Sequence, residues 1–202
     1  MDFAKLADDK TIERTAKALG SKNIEVFVVK DRNEAKRKFL ELVPQGSEVY
    51  CMSSVTLDET GILKEVEEGG RYVSVRKKVT SINEKEKREA VRKAASACQY
   101  ATGSVHAVSE EGEVVIASQS GSQLAPYAFA ATNVVWVVGA QKIVKNLDQA
   151  FQRIKEYVLP LEDARARKAY GVGTSLNKIL IFEKEAAPNR IKMILVKEKL
   201  GF

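Results

Sequence analysis

Four short stretches of this chain carry the residue types that hold a small anion. Ser53-Ser54-Val55-Thr56 places three hydroxyls directly after an apolar run, and Thr56-Leu57-Asp58-Glu59 reads as a capping box that opens a helix. Arg76-Lys77-Lys78 brings concentrated positive charge. Ser118-Gln119-Ser120-Gly121-Ser122-Gln123 supplies hydroxyls, an amide and a glycine where another short helix is expected, over about 122–131. Gly139-Ala140-Gln141-Lys142 adds a glycine and a lysine after the most hydrophobic run of the chain. Hydroxyls, exposed backbone N–H groups, helix N-termini and cations together suit phosphate, carboxylate or another small anion. Ser and Thr also cap helices where no ligand is involved. The argument for a ligand is that all four stretches leave strands at the same end.

Other chemistry-bearing residues fit less. Glu110 and Glu111 have two readings: a general base or nucleophile, or a solvated turn in Ser109-Glu110-Glu111-Gly112. His106, the only histidine, stands among apolar residues and is expected to be packed. Trp136 lies inside an apolar run and reads as core. Gly171-Val172-Gly173-Thr174-Ser175 resembles part of a phosphate loop but lacks its lysine. Cys51 and Cys98 are isolated and read as free buried thiols. With two cysteines and one histidine, no metal site is expected, and four-cysteine iron–sulfur ligation within this chain is excluded by count.

The elements that must position these residues follow from periodicity and caps. A helix is expected over about 8–19, with Ile12, Ala16 and Leu19 on one face and Gly20 past its end. Ile24–Val29 is a nearly continuous apolar run, as in a strand covered on both sides. Asp31 caps a helix reaching about Val43, and Glu48–Met52 is the next strand. The capping box at Thr56 predicts one helix ending at Gly69-Gly70, and Tyr72–Val75 a third strand. Ser81 caps an amphipathic helix with Ala90, Val91, Ala94, Ala95 and Cys98 along its apolar stripe. Val105–Val108 and Val114–Ala117 flank the Ser109–Gly112 turn as a β-hairpin. Val134–Val138 is expected to be a central strand. Asn146 caps a helix through Tyr157 that Pro160 ends or kinks. Lys178–Phe182 and Ile191–Val196 are expected to pair antiparallel around Pro188-Asn189. Strands alternating with helices give one α/β domain over 1–202, with 1–20 as an N-terminal helical segment and a mostly parallel mixed sheet containing an inserted β-hairpin. In such sheets ligands sit beyond the carboxyl ends of the strands.

Composition narrows the partners. The 202 residues are 45% hydrophobic and 30% charged, with a net charge of +6. The basic residues mostly alternate with acids, as in Glu84-Lys85-Glu86-Lys87-Arg88-Glu89, and no nucleic-acid-binding motif is present. The charge therefore reads as a solvated surface, not a nucleic-acid footprint. No apolar run approaches the roughly 18 residues of a membrane span, and Met1–Lys10 lacks a signal-peptide core. The expected location is cytoplasmic, with no nucleic-acid or membrane partner.

Four motifs in order resemble the LUD-domain (lactate-utilisation) family. These are Ser54-x-Thr56-Leu57-x-x-Thr60-Gly61-Ile62, then Thr102-Gly103-Ser104-x-x-Ala107-Val108-Ser109-Glu110-x-Gly112, then Ser120-Gly121-Ser122-Gln123-x-Ala125, and Gly139-x-x-Lys142-Ile143-Val144. The resemblance spans about residues 24–182. It implies a Rossmann-like three-layer sandwich of the sugar-phosphate isomerase and CoA-transferase type. It also implies ligand-binding roles for Ser53, Ser54, Thr56, Thr102, Gly103, Ser120, Gly121, Ser122, Gln123, Gly139 and Lys142. The Ser-Glu-x-Gly turn is similar to that of class I CoA transferases, whose glutamate is the acyl acceptor, so Glu110 is the implied catalytic carboxylate. Met52-Ser53 stands where many relatives have two glycines, and Gly171–Asn177 lacks the cysteines some relatives carry. The implied function is a lactate-utilisation-like protein that binds a small anionic metabolite (phosphate, carboxylate or CoA ester) within an L-lactate to pyruvate oxidation complex. Iron–sulfur clusters would belong to partner subunits; no cofactor is expected in this chain, and a homodimer is compatible with the sequence. Two alternatives stand beside this: a stand-alone isomerase, CoA-transferase or folate cyclo-ligase-like enzyme using Glu110, and a non-catalytic ligand-sensing module.

Overall fold

A computed structural model describes residues 1–80, 89, 90, 93 and 97–202. In chain order the elements are α1 (Asp9–Ser21), β1 (Ile24–Val29), α2 (Arg32–Leu42), β2 (Glu48–Cys51), α3 (Val55–Glu59), α4 (Ile62–Glu68), β3 (Val73–Ser74) and α5 (Val75–Thr80). Then come β4 (Tyr100–Gly103), β5 (Ala107–Ser109), β6 (Val114–Ser118), β7 (Asn133–Gly139), β8 (Ile143–Val144), α6 (Leu147–Arg153), α7 (Leu159–Tyr170), β9 (Lys178–Phe182) and β10 (Ile191–Val196). The helix expected from Ser81 lies largely outside the described residues.

Six strands form a parallel sheet in the order β1-β10-β7-β4-β2-β3. The alternation of β7 divides the core between its two faces. Val134, Trp136 and Val138 face α1 and a second sheet, with Ile12, Leu19 and Met193. Val135 and Val137 face α2 and α4, through Phe39, Ile62 and Val66. The result is a Rossmann-like three-layer α/β sandwich. Asp8, Asp31 and Asn146 cap α1, α2 and α6 by accepting backbone N–H groups of the first turn. No helix among the described residues is long and apolar enough to cross a membrane.

Several expectations change. The hairpin β5–β6 does not join the main sheet; with β8 and β9 it builds a second sheet in the order β8-β5-β6-β9. All antiparallel pairing described is there. β9 and β10 do not pair with each other: β9 runs antiparallel to β6, and β10 inserts parallel between β1 and β7. Burial explains the separation. Met193 to Val196 are fully buried and need a central place, whereas most of β9 is partly exposed. β1 is a sheet edge with α1 on one face and α2 on the other, and its central residues are only partly buried there. Tyr100–Gly103, which carries no alternation of its own, is a main-sheet strand. The helix expected from a Thr56 cap starts two residues earlier, with Ser54 as its cap, and breaks at Gly61, whose φ of +69° is left-handed. Arg76-Lys77-Lys78 lies on α5, not in a loop. The α-helix that Asn146 begins is interrupted just before Pro160. A wide turn at Ile154–Val158 joins α6 to α7, so the proline falls at the start of α7, where an N–H is not required.

Candidate functional site

The carboxyl ends of β2, β4, β6 and β7 border one cavity of about 460 Å³. Ser53, Ser54 and Thr56 form one wall, leaving β2; Ser118, Ser120, Ser122 and Gln123 form another, leaving β6. Ser104, His106 and Lys142 form the floor, leaving β4 and β7. The opposite side comes from Ile154, Val158, Leu159, Glu162, Arg165 and Tyr170 of the α6–α7 segment, with Thr174, Ser175 and Leu176 beyond it.

Lys142 is the centre of the floor. A single tight turn, Ala140–Lys142, follows β7 and places the side chain at the strand's carboxyl end, where it lines the cavity. Gly139 makes this packing possible: a Cβ there would meet Glu198 O and Leu200 N at 2.8 Å. Gln141 completes it by donating to Leu200 O at 2.8 Å. The ammonium is 2% exposed and donates to Thr56 Oγ1 at 3.1 Å and Ser104 Oγ at 3.0 Å. Thr56 in turn donates to Leu200 O at 3.2 Å. An ammonium has three N–H donors, so one remains after these two bonds. No ion pair to Lys142 exists among the described residues. Burial, assisted by the Arg153 charge, pulls its pKa from 10.5 down to about 7.

His106 stands in a bend between β4 and β5, not within a strand, and it lines the cavity. Its Nδ1 accepts the Ala117 N–H at 3.0 Å, which assigns the ring proton of the neutral form to Nε2. Burial, followed by the charges of Lys142 and Arg153, holds its pKa down at about 3, so the neutral ring persists at ordinary pH. Beneath it Arg153 is fully buried. Its Nη1 donates to His106 O at 2.6 Å, its guanidinium lies 5.3 Å from the Tyr157 ring centre, and Nε and Nη2 are buried with no hydrogen-bond partner among the described residues. Burial lowers its pKa to about 10. Tyr127 Oη, another cavity group, is also buried and unpartnered. Above the floor, Arg165 makes a two-bond fork with Glu162 at 2.7 and 2.6 Å.

Of the residues expected to bind a ligand, Ser53, Ser54, Thr56, Ser120, Ser122, Gln123 and Lys142 line the cavity. Thr102, Gly103, Gly121 and Gly139 do not. Thr102 Oγ1 bridges β4 to Val135 O at 2.8 Å, and Gly103 leaves room for Tyr127 Oη. Gly121, at φ +90°, makes the turn whose N–H reaches Ser118 Oγ at 2.8 Å. The Ser118–Gln123 loop largely satisfies itself: Ser120 Oγ bonds Ser122 Oγ at 3.2 Å, and the Gln123 amide bonds Ser118 Oγ and Ala117 O. Only a short helical piece around the Pro126–Ala130 turn follows, so the expected helix dipole is weak there. Glu110 lies outside the cavity, bonded to Arg14 on α1, with its own N–H on Val144 O. Cys51 borders the cavity, but burial pushes its thiol pKa far up, and that of Cys98 up to about 11, so neither is a ready nucleophile. Ser104, His106, Tyr127 and Arg165 were not foreseen as site residues. Ser104 and His106 had a signal in their position just after β4; Tyr127 and Arg165 arrive through tertiary packing and had none.

A family model described as the LUD domain matches residues 12–196. A solved structure described as a DUF162 family protein from Deinococcus radiodurans, at 1.70 Å, superposes with a TM-score of 0.58. The two share 10% identity over 95% of this chain and 99% of that one, which is a likeness of fold. No curated protein matches the sequence.

Proposed function

The chain belongs to the LUD-domain family, and from that premise we propose that this lactate-utilisation-like protein captures a small anionic metabolite in the cavity above Lys142. The observation that carries the proposal is Lys142 itself, a buried ammonium with two hydroxyl contacts and no carboxylate partner among the described residues. Burying a cation without its counter-charge costs several kcal/mol. Folds tolerate such a cost at functional sites, where an arriving anion supplies the missing charge. The His106 Nε2–H, the Ser54 hydroxyl and Tyr127 Oη add donors around the same space. In this reading the protein works beside iron–sulfur partner subunits in L-lactate oxidation and itself supplies the binding site. A free-standing isomerase or transferase acting through Glu110 has no geometric support, because that carboxylate is engaged by Arg14 outside the cavity.

Thermal unfolding in the presence of L-lactate, pyruvate, sugar phosphates, folates and CoA tests the reading. A ligand at 100 times its Kd stabilises by about 2.7 kcal/mol. At least one anion should raise Tm in the native protein and fail to do so in Lys142→Met. No shift with any of them, or a shift indifferent to that substitution, would defeat the proposal.

A further inference from the structure

Two features of the floor and one of the walls narrow the class of anion. The first is charge. Lys142 and Arg153 are 2% and 0% exposed, and neither has an ion pair among the described residues. Arg153 spends Nη1 on His106 O and leaves Nε and Nη2 buried with no hydrogen-bond partner among the described residues. Glu59, which accepts the Gly201 N–H at 2.7 Å, acts on Lys142 through space without forming an ion pair with it. Lys142 on the floor, with the Arg153 charge buried beneath it, is better matched by a phosphate monoester, which carries about −1.5 to −2 at pH 7, than by a single carboxylate. Phosphate also offers three acceptor oxygens. The cavity presents donors to receive them: the remaining Lys142 N–H and His106 Nε2–H on the floor and the Ser54 hydroxyl on the wall.

The second feature is size. At about 460 Å³ the cavity falls within the roughly 300–1,000 Å³ of sites that enclose drug-sized molecules. A three-carbon hydroxy acid on Lys142 would leave most of it to water. The walls are the third feature. Ile154, Val158, Leu159 and Leu176 give one side an apolar patch beside the Glu162–Arg165 pair, while Ser54, Ser120 and Ser122 line the other walls with hydroxyls. Such a division suits a flat apolar ring against one side and a polyhydroxylated unit against the other.

We infer that the occupant is a phosphate monoester on a body of mononucleotide size, with its phosphate seated on Lys142, and not a three-carbon hydroxy acid. This rests on the anion-capture reading above and narrows it. Calorimetric titration of the intact protein at pH 7 with AMP, adenosine, inorganic phosphate and L-lactate tests it. AMP should bind at least about tenfold tighter than each of the other three, and Lys142→Met should weaken AMP by at least about tenfold. A second measurement needs no variant: the 31P resonance of bound AMP should stay that of the dianion from pH 7.5 down to 5.5, where free AMP takes up a proton. L-lactate binding tighter than AMP, with its binding lost in Lys142→Met, would overturn this inference and leave anion capture standing. AMP no tighter than inorganic phosphate or adenosine, AMP indifferent to the substitution, or a bound phosphate that titrates like the free one would also overturn it. If none of the four binds, and nothing in the wider anion panel does, both readings fall together.

Discussion

Replacing Lys142 with methionine should change how stability depends on pH. Methionine keeps the unbranched stem and removes the charge that the fold buries. The lysine pKa falls from 10.5 in the unfolded chain to about 7 in the folded one, because burial and the Arg153 charge oppose the ammonium. Between those values the unfolded chain holds a proton that the folded protein has released. The unfolded state binds more protons there, so stability rises with pH, by at most about 1.36 kcal/mol per pH unit. From pH 7 to pH 9 the lysine therefore adds about 2–3 kcal/mol to native stability. Below about pH 7 both states are protonated, the slope disappears and the whole cost of burial is present. Urea unfolding of both proteins at pH 6, 7, 8 and 9 isolates this effect, since groups common to both cancel in the difference. Lys142→Met should gain on the native protein at low pH and lose that advantage by about 2–3 kcal/mol between pH 7 and 9. A stability difference that does not change with pH would mean the ammonium is compensated in the fold, and the argument for a missing anion would be refuted.

Three further outcomes follow from the same geometry. With a single histidine, the imidazole NMR signals belong to His106 alone; they should show the Nε2–H tautomer and no titration between pH 5 and 8, and a midpoint near 6.5 would contradict the buried neutral ring. Glu110→Gln should leave anion binding unchanged and cost no more than about 1 kcal/mol in urea unfolding, because the Arg14 partner is at the surface; a loss of binding would return Glu110 to the site. Gly103→Ala should destabilise by about 1–3 kcal/mol, since its Cβ would run into Tyr127 Oη and meet Met52 Cβ at 3.1 Å; unchanged stability would show that the Tyr127 ring is free to move.

Local signals read well where the physics is local. Asp8, Asp31 and Asn146 announce their helices because a side-chain oxygen can satisfy first-turn N–H groups without help from the rest of the fold. Val134–Val138 is central because no edge could accommodate so apolar a run. Lys142 was legible for the related reason that it follows this strand at its carboxyl end. Long-range choices were not legible. Pro188-Asn189 looks like a hairpin turn, and Asn189 does take a positive φ, yet β9 and β10 part into different sheets because parallel pairing leaves no mark in the intervening sequence. The Ser-Glu-x-Gly turn matched a catalytic motif by sequence, but Gly112 brings the turn against Ala18 of α1, away from the cavity. Arg153 looks like any helical cation in the sequence; its burial depends on α6 lying against β5.

The most direct test is to place a tetrahedral dianion that can be seen. Crystals soaked in selenate at pH 6, where Lys142 is charged, should show an anomalous peak within hydrogen-bond distance of Lys142 Nζ. The peak should weaken at pH 9 and vanish in Lys142→Met. An empty cavity at pH 6, or a peak there that survives loss of the lysine, would contradict the account.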